Sequence, residues 1–118
     1  MSQILISGLK VNTFIGVYEN EQAHSQQISI DIVIEYNDYE ASMSDKIDDA
    51  VDYYTITERI KEYLSNSRHR LIESLNRALI GIVASDPRVS FCKISTTKFG
   101  VLEGADSVTL TTEFRSDE

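Results

Sequence analysis

Residues 27–36, "QISIDIVIEY", constrain this chain more than any other stretch of its length. Ile28, Ile30, Ile32, Ile34 and Tyr36 fall at every second position, with Gln27, Ser29, Asp31, Val33 and Glu35 between them. Successive side chains of a strand point to opposite faces, so the run predicts a strand with one wholly apolar face. A row of isoleucines has to be covered, and two helical patterns later in the chain can cover it. "TITE" at residues 55–58 has the form of a capping box, and Ile56, Ile60, Tyr63 and Leu64 continue at helical spacing until "SNSR". Leu71, Leu75, Leu79, Ile82 and Val83 predict a second helix, stopped at Asp86-Pro87 because a residue before proline avoids the helical region.

Strand patterns flank this helical middle. "LKVNTFIGV" alternates Leu9, Val11, Thr13, Ile15 and Val17, and a wide loop, "YENEQAHSQ", separates it from the isoleucine strand. "RVSFCKISTTK" and "DSVTLTTEF" close the chain as two more strands. The order ββααββ predicts an α+β fold, with a four-stranded antiparallel sheet and two helices on one face. One domain spans residues 1–118, with no internal repeat or linker. Such an open sheet leaves two edges unpaired, which predicts association of copies into a larger oligomeric barrel.

Composition narrows the function classes. A formal net charge of −8 disfavours nucleic acid, whose binding rests on neutralised phosphates. No apolar run approaches the length needed to span a bilayer, and the N-terminus lacks a basic segment leading into an apolar one. The single cysteine, Cys92, lies within an apolar strand pattern and reads as core filler, with a reduced, cytoplasmic compartment implied. His24 and His69 stand in different segments without ligand spacing, so no metal site is expected; no glycine-rich nucleotide cradle is present either.

Four residues invite chemistry. Lys98 is the one long basic side chain in "STTKFGVLEGADS", at the end of a strand. Glu73 opens the second helix in "RLIESLN", where the helix dipole alone would also favour an acid. Tyr53 precedes the capping box, and Glu21 lies in the wide loop. Singly, each is an ordinary surface residue.

Their contexts together resemble the dihydroneopterin aldolase family. The segments that carry the likeness are "TFIGVYENEQ", Gln26, "SDKIDDAVDYYTIT", "LIESL" and "TTKFGVLEGADSV", in order over nearly the whole chain. "TFIG", "DYYTIT" and "ADSVTLT" look closest to the family's dihydroneopterin triphosphate 2′-epimerase branch. Phe99 stands where the aldolase branch usually has a proline. The resemblance implies a tunnelling fold (T-fold), assembled as an octamer of two stacked tetramers with sites between subunits. Carried over, Glu73 would anchor the 2-amino-4-oxo edge of a pterin, with the main chain at Val51 and Ile72 completing the pocket. Tyr53 would come from the neighbouring subunit to pack the pterin and move protons. Lys98 would be the central acid/base group, and Glu21 an assistant near the side chain of the substrate.

The implied reaction breaks the C1′–C2′ bond of a 7,8-dihydropterin side chain. The ring's own C=N bond accepts the electrons, so no Schiff base, metal or other cofactor is called for. Arg68 and Arg70, just before Glu73, are candidates to hold a triphosphate. A zinc-dependent pterin synthase or cyclohydrolase of the same fold would need a histidine cluster that this sequence lacks. A non-catalytic ring protein would have no use for Lys98, Glu73, Tyr53 and Glu21 together.

Overall fold

Ile28, Ile30, Ile32 and Ile34 are fully buried in the computed structural model, which describes residues 1–116. The elements in chain order are β1 (Ser2–Ile15), α1 (Glu19–Ala23), β2 (Gln26–Tyr36), α2 (Tyr39–Ser44), α3 (Tyr53–Asn66), β3 (Arg68–His69), α4 (Ile72–Val83), β4 (Val89–Phe99) and β5 (Ser107–Arg115). The sheet order is β3-β1-β2-β4-β5. Four of these strands pair antiparallel as the sequence predicts. The sheet has five strands rather than four, because the chain leaving α3 passes the open edge of β1 before α4 begins. There Phe14 pairs with Arg68 and Ile15 with His69, in parallel. The free backbone groups of that edge capture two residues.

β1 begins at Ser2, well before the predicted Leu9. Its register against β2 shifts between Ile6 and Leu9, and Gly8 sits at φ +68° within the shift. An inserted residue swaps the parity of a strand, so Ile4 and Ile6 pack against the same core as Leu9 and Val11. The strand also stops earlier than expected. Gly16 turns at φ +144°, which leaves Val17 exposed outside the sheet.

Asp52, rather than Thr55, caps α3. Its carboxylate accepts from the Thr55 backbone N–H at 3.1 Å and from Thr55 Oγ1 at 2.9 Å. The predicted wide loop and the segment after β2 each hold a short helix, α1 and α2. α3 turns Ile56, Ile60 and Leu64 onto the sheet, and α4 turns Leu75, Leu79, Ile80 and Val83. Each fully buried leucine or isoleucine contributes about 1.5–3 kcal/mol relative to exposure. Cys92 belongs to this core, and burial pushes its thiol up to about 12. Among the described residues no helix is long and apolar enough to cross a membrane.

One buried polar side chain fixes the start of α4. Asn76, fully buried, donates to Leu110 O and Thr112 Oγ1, both at 3.1 Å, and accepts from Thr96 Oγ1 at 2.6 Å. Losing one partner of a buried group costs about 1–3 kcal/mol, so this triple connection sets the helix against β4 and β5. Glu73 lies one turn before it.

Candidate active site

β4 alternates inward and outward, and Ile94, Thr96 and Lys98 share the covered face. Lys98 is therefore delivered inward at the strand's end, and it is the one buried charged side chain among the described residues. A buried ammonium needs a partner. Its Nζ donates to Glu21 Oε2 at 3.0 Å, across 77 residues of sequence. The other carboxylate oxygen, Oε1, accepts from the Tyr18 backbone N–H at 3.2 Å, at the start of α1. Burial would raise the Glu21 carboxyl. The Lys98 hydrogen bond, the Tyr18 N–H, the Lys98 charge and Gln26 outweigh it and hold the group below its ordinary 4.5.

Glycine at position 16 makes this arrangement possible. A Cβ there would overlap the Glu21 carboxyl group, and the backbone sits at φ +144°, where side chains are rarely tolerated. Gln22 Nε2 donates to Gly16 O at 2.7 Å and to His69 O at 3.1 Å, and Gln26 Nε2 to Ile15 O at 2.9 Å. The turn that presents Glu21 is thus tied to β1, β2 and β3 at once.

Glu73 stands in the first turn of α4. It lines, with Lys98, Glu21, Ile72 and Arg70, a cavity of about 360 Å³ that also has Val17, Leu71, Val101 and Leu102 in its wall. Two carboxylates, an ammonium and a guanidinium face one space with largely apolar sides. Such a space suits a flat heteroaromatic ring with a polar edge and an oxygenated side chain.

Four of the expected site residues, Glu21, Ile72, Glu73 and Lys98, are brought together within one chain. Val51 and Tyr53 are not. Val51 is buried in the core, and Tyr53 is exposed at the first residue of α3. Arg88, at the start of β4, donates to the Asp48 carbonyl, which fixes the segment leading to Tyr53 at the opposite end of that strand from Lys98. The nine residue-to-residue steps from Val89 to Lys98 span about 30 Å of strand.

The two arginines part company as well. Arg70 lines the Lys98 cavity, whereas Arg68 lies over the Phe14 ring at 3.8 Å, donates to Gln22 O, and lines a different cavity beside α3. Gly16, Gln22 and His69 hold the site's frame without having been singled out for it by the sequence. Only Gly16 left a signal, as a glycine inside a predicted strand, where it marks a bend or a close approach of the backbone. Among the described residues no group of three His, Cys, Asp or Glu side chains could hold a metal ion.

Comparison with known proteins agrees with this fold. The sequence profile of the dihydroneopterin aldolase family matches residues 4–113. The chain is 34% identical over 108 residues to dihydroneopterin triphosphate 2′-epimerase of Escherichia coli K12, covering 92% of this chain and 90% of that protein. It is 27% identical to dihydroneopterin aldolase of the same organism, covering 92% and 88%. The atomic-resolution crystal structure of E. coli dihydroneopterin aldolase in complex with neopterin superposes with a TM-score of 0.89 at 26% identity, covering 97% of this chain and 99% of that one. With the profile running from β1 into β5, this chain belongs to the dihydroneopterin aldolase family.

Proposed function

We propose that the protein is a dihydroneopterin triphosphate 2′-epimerase, inverting C2′ of a 7,8-dihydropterin side chain by retro-aldol cleavage and re-addition. The observation that carries the retro-aldol chemistry is the Lys98–Glu21 pair, its ammonium buried, facing the same cavity as Glu73. Glu73 accepts the two parallel N–H groups of the pterin's 2-amino-4-oxo edge, as a carboxylate does from a guanidinium. The 2′-hydroxyl passes its proton to a neighbouring phenol that relays it to solvent, C2′ becomes the aldehyde carbonyl as the C1′–C2′ bond breaks, and that bond's electron pair forms C6=C1′ while the C=N pair moves onto N5. The Lys98 ammonium, held in place by Glu21, is the acid/base group at the ring and stabilises the charge arriving there. Re-addition to the other face of the aldehyde, with return of the proton to oxygen, yields the epimer; protonation of the enol carbon instead yields the aldolase product.

The phenol that moves the proton is Tyr53 of a neighbouring subunit in this reading. Support comes from exposed apolar residues at both ends of the molecule. Leu71, Phe99 and Leu102 lie near the cavity, and Ile47, Tyr53 and Tyr54 lie at the far end, all 50–69% exposed. A ring of copies that brings one end against the other covers both and completes each site, as the octamer of two tetramers does.

Arg70 favours the phosphorylated substrate, since its guanidinium lines the cavity and, among the described residues, makes only a 3.5 Å contact with Val17 O. A fragment bearing phosphates stays long enough to recombine; glycolaldehyde leaves. The aldolase of folate biosynthesis is the second reading, favoured by the likeness to the structure solved with neopterin. Incubation with dihydroneopterin and with its triphosphate, followed by chiral analysis and an aldehyde assay, separates the two. Epimer from the triphosphate supports the first reading, and 6-hydroxymethyl-dihydropterin as the main product from both substrates establishes the second.

A further inference from the structure

The segment from β3 into α4 carries Arg70, Ile72 and Glu73 to the cavity, and one imidazole outside that cavity holds it. His69 Nε2 lies 2.7 Å from Tyr63 OH on α3, and its Nδ1 lies 2.8 Å from Ser74 Oγ on α4. Ser74 Oγ also donates to Leu71 O at 3.0 Å. A hydroxyl has one proton to give, so Ser74 must accept from Nδ1–H. The neutral ring then keeps its lone pair on Nε2, where the Tyr63 phenol donates. The chain of bonds runs in one direction, from Tyr63 through His69 and Ser74 to the carbonyl of Leu71.

The backbone of the same residue holds the other half of the site. His69 O accepts from Gly16 N at 3.0 Å and from Gln22 Nε2 at 3.1 Å, at the turn that presents Glu21. Position 69 therefore joins α3, the first turn of α4 and the Glu21 turn. The imidazole lines the cavity beside α3, about 590 Å³, with Arg59, Glu62 and Arg68, and is absent from the wall of the cavity holding Lys98.

We propose that His69 is a positioning residue, setting the spacing between Glu73 and the Lys98–Glu21 pair without touching the substrate. This rests on the reading of Glu73 as the pterin anchor. His69→Phe keeps a ring of similar size and loses both side-chain bonds. It raises KM about tenfold with kcat within about threefold, because the anchor is displaced while Lys98 is not. His69→Asn retains a donor at the place of Nδ1 and returns KM to within about threefold of wild type.

The deciding measurement pairs these kinetics with amide hydrogen exchange at Gly16 and Leu75, whose N–H groups bond to His69 O and Leu71 O. The proposal expects faster exchange at both in His69→Phe and near-native exchange in His69→Asn. Unchanged exchange in the Phe variant overturns it, as does a fall in Tm with KM unmoved or an Asn variant no better than Phe. A wild-type protein inert toward every pterin overturns the functional reading instead, while the exchange rates still decide the role of His69.

Discussion

At the Lys98 end of β4, Nζ is buried and paired, Glu21 uses both carboxylate oxygens, and Glu73 opens a helix whose Asn76 is bonded to two strands. At the Val89 end, Arg88 reaches the Asp48 carbonyl, and beyond it Ile47, Tyr53 and Tyr54 stand in solvent. One end has its charges placed in advance by its own chain. The other presents aromatic surface that its own chain does not cover. Charged groups cost most to reorient during a reaction, so a protein gains by fixing them within one chain. A tyrosine contributes contact area and a phenol wherever it is docked, so it can be supplied by a second copy.

The largest effects should come from the Lys98 end. Lys98→Ala should lower kcat by about 10²–10⁴-fold, the usual range for removing a positioned acid or base, with a far smaller change in pterin affinity. Glu73→Ala should do the reverse, weakening affinity by about 1–3 kcal/mol for each donor left unpaired on the bound ring. Steady-state kinetics beside direct neopterin titration would separate the two. Small and equal losses from both substitutions would mean that the roles are wrongly divided.

Gly16→Ala comes next. The new Cβ would displace the Glu21 carboxyl, and the strained backbone should cost about 1–3 kcal/mol of stability by chemical denaturation. Lys98 would remain but lose its partner, so turnover should fall with the fold retained. Native activity in this variant would strip Glu21 of any part in turnover.

The two ends of the molecule also differ in how plainly the sequence discloses them. The isoleucine strand and both long helices were readable because periodicity records which face is buried. The first seven residues of β1 were not, since the shift at Gly8 moves the apolar set from Ile4 and Ile6 to Leu9 and Val11 and breaks the alternation. At the start of α3 the sequence offered Thr55-x-x-Glu58 as the cap, and the Asp52 carboxylate takes it one turn earlier. Lys98 read from sequence as a strand-end lysine, and its inward aim came with the burial of Ile94 and Thr96 on the same face. Its pairing with Glu21 was not legible, because nothing local links positions 77 residues apart; only the family resemblance put them in one site. Arg68 and Arg70 looked alike in sequence, yet Phe14 draws the first away from the cavity that Arg70 lines.

The smallest effect distinguishes the two ends by pH. Burial holds His69 below its ordinary 6.5, and Glu21 lies below its ordinary 4.5. Both contributions to stability are present above those values and are lost as pH falls through the folded-state values. The Asp52 cap, lowered from 3.8 by the Thr55 backbone and side-chain bonds, fails only in stronger acid. Protection of the Gly16 amide, relative to unstructured-chain exchange at the same pH, should therefore fall, as pH drops below 6.5, before protection at Thr55 does. The opposite order would break the contrast between the two ends.

Subunit complementation tests the shared site most directly. Lys98→Ala and Tyr53→Phe proteins, each nearly inactive alone, are unfolded together in equal amounts and refolded as mixed oligomers. If every site takes Lys98 from one copy and Tyr53 from its neighbour, about one quarter of the sites in a random mixture regain both residues. Activity should then recover to about that fraction of wild type. A mixture no more active than its separate components, despite confirmed subunit exchange, would contradict a site shared between copies.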